Sequence, residues 1–354
     1  MLLNRHGDAT VRYSGVRRPL IVAAAVLTAQ GLPLGQADQS LSNLLKVHQY
    51  DLATEGKALL EKEARAASFF LIGGLHGDKE TPALVDSLWP TAGYRYLALE
   101  MSPWAASRLE TPHVRGSDIE EPQPHSLIRE LAQVNPKNRA LQSMVELTKD
   151  GYKRPLAPKL SALAASMGEI NDTEPGGISL REQVLRTLEV EVERANRQGN
   201  DRLAASVRRE TVMKQFFLSH YRAAGGKPKV MTVFGQNHLH RGIDRRGVST
   251  LGNFIAELAT AEGVQSFHVV LFAAGGKINF FGLQDIDQRK DDPALAVFAS
   301  AARYAATVFD LRPIRRALHQ IPPEKRSASD SGVLYWADSY DAIVCYREVT
   351  PVGQ

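Results

Sequence analysis

The 354-residue chain has one cysteine, Cys345, and can close no internal disulfide. A disulfide-stapled scaffold is thereby excluded, and stability has to come from buried apolar groups. Aromatic residues are sparse at 7%, and neither sign of charge dominates, with 43 Lys and Arg against 39 Asp and Glu. At 44% apolar and 23% charged, the chain is neither disordered nor collagen-like. The leading apolar run, residues 20–27, falls short of the roughly 20 residues a membrane-spanning helix needs. Several reaction signatures are missing too: no G-x-S-x-G elbow, no G-x-x-x-x-G-K-[ST] loop, no H-E-x-x-H and no C-x-x-C. No repeat or low-complexity segment is evident.

The net charge of +4 invites a nucleic-acid or anionic-membrane reading until it is located. Arg5, Arg12, Arg17 and Arg18 against Asp8 put three of those four charges in residues 1–37, leaving 39 basic and 38 acidic groups beyond. The Arg17-Arg18 pair is followed by Pro19, the apolar run and small residues ending at Ala37. That order reads as an export signal, and the paired arginines also fit a twin-arginine pattern. The expectation is a periplasmic or secreted protein, near neutral once the signal is removed. Nucleic acid and stable membrane insertion then drop out as partners, and a small-molecule substrate remains.

Residues 68–74 form an apolar stretch without alternation, as in a strand covered on both faces. A helical pattern over 79–89 and a second strand over 94–100 follow, predicting a parallel β-α-β pair. Further strands are predicted over 229–234, 266–272 and 340–347, with a short one over 277–281 and a helix over 250–261. Between 112 and 228 the pattern turns helical, over 126–134, 140–149, 179–197 and 201–222, with a Ser179/Glu182 capping box. The expectation is one α/β domain, 38–354. It has a mostly parallel central sheet of about five or six strands flanked by helices, and a helical insertion, 112–228, acting as a lid.

The candidate chemistry sits at predicted strand ends. His76 follows the first strand in Gly73-Gly74-Leu75-His76, Glu100 closes the second, and His238 follows the third in Gly235-Gln236-Asn237-His238. In a parallel sheet these ends line one edge, where ligands of open α/β sheets bind. An imidazole can take a proton from water while a carboxylate orients it. The same two histidines and carboxylate are equally a divalent-metal set. Arg209, on a helix, could bind an anion or an oxyanion, or simply belong to a solvated charged face beside Glu210. His240, two residues past His238, is counted with Arg209 on the substrate side or just outside it. His220 and Tyr221 end the last helix near the expected cleft mouth. The basic run 311–316 reads as a solvated face, and Cys345, among apolar neighbours, as an inert buried thiol.

The first β-α-β, the segment Arg209-Glu210-Thr211-Val212-Met213 (R-[DE]-x-x-M), the Asn237-His238 turn followed by Arg241, and the ending from Tyr340-Asp341-Ala342 to Thr350-Pro351 together resemble the erythromycin esterase-like family. That family belongs to a broader group with ChaN-like haem-binding proteins and the TraB and Tiki proteins. The resemblance spans about 68–351. It implies an α/β sheet with helical additions and hydrolysis without metal, in which the histidine after the first strand activates water. By motif position His76 is that base, Glu100 the acidic residue after the second strand, His238 the later histidine and Arg209 the helix arginine. One departure stands out: the family pattern has a glutamate in the first glycine turn, where this chain has Gly74. Asp78 or Glu80 could replace it if the loop bends back. The paired G-x-x-H turns resemble the Tiki and TraB pattern instead. That resemblance implies a metal-dependent peptidase with His76, Glu100 and His238 as ligands, while the ChaN branch implies a non-catalytic haem- or ligand-binding protein.

Overall fold

A computed structural model describes residues 35–100, 202–280 and 282–353, with a few single positions between 132 and 185. Its elements are α1 (Gly35–Val47), β1 (Gln49–Asp51), α2 (Glu55–Ala66), β2 (Phe69–Gly74), α3 (Glu80–Ala92) and β3 (Tyr96–Leu99). Next among the described residues come α4 (Arg202–Ala224), β4 (Val230–Gly235), α5 (Leu251–Glu262), β5 (Ser266–Ala273), β6 (Lys277–Asn279) and β7 (Leu283–Asp285). The chain finishes with α6 (Pro293–Ala301), β8 (Ala306–Asp310), α7 (Leu311–His319), α8 (Ala328–Ser339) and β9 (Ala342–Tyr346). The helices expected over 126–134, 140–149 and 179–197, apart from those single positions, and the Ser179/Glu182 capping box lie outside the described residues. So does the expected export signal, but for its last three residues, which open α1.

Among the described residues, seven strands form one sheet in the order β1-β8-β9-β5-β2-β4-β3. The pairs from β9 through β5, β2 and β4 to β3 are parallel, and β1 and β8 join antiparallel at the other side. The fold is thus α/β with a mostly parallel sheet. Along β2, Phe69 and Leu71 face one apolar cluster while Phe70 and Ile72 face another. Strand side chains alternate in direction, so a run that is apolar at every position needs a covered layer on each face. α2 and α3 supply one layer with Leu60, Leu84 and Leu88; α4 to α8 supply the other with Phe217, Ile255, Phe298, Ile314 and Val333.

The strands of the expected β-α-β pair are parallel but not neighbours: β4 lies between β2 and β3 and hydrogen-bonds to both. Burial explains the order. β2 is buried at every position and takes strands on both sides, whereas β3, whose residues are exposed or half-buried, suits the edge. Glu100 falls one residue beyond β3 rather than closing it, and β6 pairs with β7 in a separate hairpin. The sheet exceeds the expected size because β1 and β8 are short and carry little pattern of their own.

α4 spans the height of the sheet. Phe217 and Tyr221 pack on Phe69 at the start of β2, with ring centroids 6.2 and 5.3 Å apart. Arg209 and Glu210, about 16–18 Å back along the helix at 1.5 Å per residue, reach the opposite, C-terminal edge. Tyr221 is therefore buried far from the cleft mouth expected for it, and His220 is exposed. The basic run 311–316 lies in α7, where Arg316 is exposed but Arg312 and Arg315 are partly covered and paired. Arg312 pairs with Asp310 and Glu63, and Arg315 donates to the Tyr340 carbonyl at 2.7 Å and to Asp341 at 3.1 Å. Cys345 is fully buried, and burial pushes its thiol up to about 12.

The segment after β4 doubles back so tightly that a Cβ at Gly252 would stand 2.3 Å from the Leu239 carbonyl atoms. Backbone cannot step aside as a side chain can, so Gly252→Ala should cost about 1–3 kcal/mol. The expected reading is a lower urea midpoint; a wild-type midpoint would mean that this crossing is looser than described.

Candidate active site

β2, β4 and β3 lie side by side, so their C-terminal ends bring His76, His238 and Glu100 to one place. Glu100 is the centre. Its Oε2 accepts the Gly235 N–H at 2.7 Å and lies 3.9 Å from His76 Nε2. Its Oε1 accepts from Arg209 and lies 3.1 Å from His238 Nε2. Gly235, the last residue of β4, is the floor under this cluster. A Cβ there would be 2.5 Å from His76 Nε2 and 3.1 Å from Glu100 Oε2, so only glycine leaves the two side chains room to meet.

The two histidines differ. His238 is 12% exposed, with Nδ1 2.5 Å from Glu210 Oε1 and Nε2 on Glu100. His76 is 34% exposed and lies against Phe280 of the hairpin, ring centroids 4.9 Å apart and nearly parallel. Its loop is strapped from two sides. The Gly77 carbonyl accepts the N–H of Asn279 at 2.8 Å and of Val352 at 3.1 Å, and the Lys79 N–H donates to the Thr350 carbonyl at 2.8 Å. The Thr350-Pro351 ending thus serves as a brace for the His76 loop.

Neither expected stand-in for the turn glutamate comes to His76 in these contacts. Asp78 is buried and accepts from the Thr81 N–H at 2.6 Å and from its hydroxyl at 2.9 Å, fixing the start of α3. Glu80 accepts the Thr350 N–H at 3.0 Å. Gly74 could carry no side chain as packed, because a Cβ would stand 2.6 Å from the Thr81 methyl.

Arg209 belongs to the cluster and not to a solvated face. His240 does not join it: at 3% exposure it sits in an aromatic box of Tyr335, Trp336 and Tyr340, with Nδ1 3.3 Å from the Tyr335 hydroxyl. His238 closes a 3-10 turn, Gln236–His238, and no strand continues from it, so strand alternation does not put the two residues on one face.

Glu210 escapes a reading by motif because it looks like the local partner of Arg209. It is 1% exposed, and its Oε2 accepts the Leu251 N–H at the start of α5 at 2.8 Å. The signal was periodicity: Glu210 shares a helical stripe with Phe217, seven residues on, and Tyr221, eleven on. A carboxylate on an apolar stripe is buried, and a buried carboxylate requires partners.

Burial works to raise the Glu100 pKa, but the His238 hydrogen bond and the charges of His238, Arg209 and His76 hold it well below the carboxylate range. For His238, burial opposes the charge, yet hydrogen bonds to Glu100 and Glu210 push it up to about 9. Burial dominates at His240 and lowers it to about 4. The site therefore holds a fixed anion, a clamped imidazolium and one accessible histidine ring. Among the described residues no group of three or more His, Cys, Asp or Glu is arranged to hold a metal ion. With both ring nitrogens facing carboxylates, His238 is set up to carry protons.

No protein-family profile and no curated protein sequence matches this chain. Solved structures do. A Bacillus cereus structural-genomics protein superposes with a TM-score of 0.52 at 12% identity, covering 92% of this chain and 100% of that one. A protein described as a succinoglycan biosynthesis protein gives a TM-score of 0.51 at 10% identity, covering 91% and 99%. A mutant of the erythromycin esterase EreC in its open conformation gives 0.49 at 13% identity, covering 89% and 97%. The first two likenesses, at 12% and 10% identity, show the α/β fold alone and leave the chemistry to the site.

The two shifted histidines give opposite pH effects on stability. His238 is raised from 6.5 to about 9, so its contribution is complete below about pH 6.5 and is lost as the pH rises through 9. His240 is lowered from 6.5 to about 4, so the unfolded chain takes up the proton first and stability falls as the pH drops from 6.5 towards 4. Urea midpoints against pH should lose part of their alkaline slope in His238→Gln and part of their acid slope in His240→Phe. Wild-type slopes in both variants would refute these assignments.

Proposed function

We propose that the protein is an exported, erythromycin esterase-like hydrolase that adds water to an ester or related acyl bond of a small molecule. The observation that carries the reading is the division of Glu100 between two unlike imidazoles. His76, accessible and facing Oε2, takes the proton from water, and the water oxygen bonds to the acyl carbon. The carbonyl electron pair moves onto oxygen, where Arg209 and the His238 imidazolium supply positive charge. As the tetrahedral adduct collapses, the leaving oxygen departs with a proton from His76 or from His238 Nε2. Glu100 stays ionised throughout, orienting both rings.

The reading needs no metal or haem, since each charge in the scheme comes from a side chain. α4, the described end of the segment 112–228, packs on the sheet and carries Arg209 to the edge where substrate would enter. Export through residues 1–37 places the activity in the periplasm or outside the cell. The fold itself does not choose the substrate, so hydrolysis of a macrolide lactone does not follow from it.

The test is a panel of aryl esters, alkyl esters, lactones and peptides offered to the purified full chain, with and without chelator. His76→Gln should lower ester turnover by about 100-fold or more, the scale of a general base, with the melting temperature preserved. Undiminished turnover would remove His76 from the reaction. Peptide cleavage lost on chelation and restored by a divalent ion would establish the metal-dependent peptidase instead. A Soret band formed stoichiometrically on haem titration, with no turnover, would establish a haem-binding protein.

A further inference from the structure

Resting on the hydrolytic reading, we propose that Glu210 is a positioning residue: its buried carboxylate fixes the His238 ring with Nδ1 tied to the helix side and a proton-bearing Nε2 presented to Glu100 and the cleft. Among the described residues, the Glu210 carboxylate meets the site through His238. Its Oε1 lies 2.5 Å from His238 Nδ1, and its Oε2 is anchored by the Leu251 N–H at 2.8 Å. The anchor is rigid at both ends. Glu210 projects from the middle of α4, and Leu251 opens α5, whose cap Thr250 accepts the Asn253 N–H at 3.2 Å. An imidazole can otherwise rotate about its side-chain bonds or exchange tautomers; one nitrogen held by a fixed carboxylate leaves only Nε2 to serve the site.

The charges around the ring support this. Arg246 Nη2 stands 3.7 Å from Glu210 Oε1, followed by His238, Glu100 and Arg209, so positive and negative groups alternate along the chain of contacts. Lys214 and Tyr340 also feel the charge of Glu210, His240 feels that of His238, and His76 acts on Glu100. A buried cation is retained when its surroundings compensate the lost hydration, and His238 has two carboxylates for this purpose. With Glu210 neutralised, one of the two is gone while the shape of the site is kept.

Glu210→Gln tests the role, read by nitrogen-15 and proton NMR of the histidine rings and by ester kinetics. In the wild type at neutral pH both nitrogens of His238 should carry protons, the signals being identified by their loss in His238→Gln. In Glu210→Gln one nitrogen should lose its proton, and kcat should fall at least about 10-fold with KM changed less than about twofold, since the group acts on the transition state rather than on binding. Glu210→Asp, which retains the charge, should restore the doubly protonated ring and part of kcat, and it stands in if the glutamine variant does not fold. A wild-type ring signature in Glu210→Gln, or equal losses in the Gln and Asp variants, would overturn the assignment. If the wild type hydrolyses no ester, the hydrolytic reading fails, and the ring signature alone decides whether Glu210 holds His238.

Discussion

The hydrogen bond from the Gly235 N–H to Glu100 joins the ends of two neighbouring strands, and the candidate site is built on that junction. A carboxylate taken out of water needs donors for its lone pairs, and Glu100 obtains them from backbone, guanidinium and imidazole. The junction exists because β4, which arrives after the insertion, lies between β2 and β3. It closes because Gly235 has no side chain to hold His76 and Glu100 apart. Strand order and one missing methyl group thus set the geometry of the centre.

Around this junction the protein separates two kinds of histidine by burial and partners. His238 is enclosed between carboxylates anchored on β3 and α4, and its charge belongs to the folded state. His76 stands on a loop braced by the hairpin and by the C-terminal residues, with one ring face on Phe280 and part of its surface in solvent. Electrostatic preorganisation of this kind places charge before reaction instead of reorganising it during reaction. The third nearby ring, His240, shows the contrast: two residues away, burial outweighs the charge of Asp244 and leaves it neutral.

Much of the scaffold was legible from local pattern. β2, β4, β5 and β9 are runs of buried apolar residues, and the glycines at the ends of β2 and β4 marked where the chain leaves the sheet. His76, Glu100, His238 and Arg209 could be picked out because chemistry in open parallel sheets gathers at those ends. The short antiparallel strands β1 and β8 were not legible, since three to five residues with mixed exposure carry too little periodicity. Glu210 was hidden by its neighbour Arg209, and His240 was drawn towards the site by spacing that a 3-10 turn annuls.

The sequence by itself determined the α/β class, the near-neutral balance beyond residue 37 and the residue types available at the strand ends, because these follow from composition and short-range periodicity. Only the tertiary structure decided that β4 separates β2 from β3, that Gly74 has no space for a carboxylate, and that Glu210 lies under His238. The space at Gly74 is taken by Thr81, seven residues on, while the other two outcomes depend on contacts between residues from about 30 to more than 130 positions apart, where distance along the chain says little about distance in space. They are settled when buried polar groups find partners across elements that no local pattern connects.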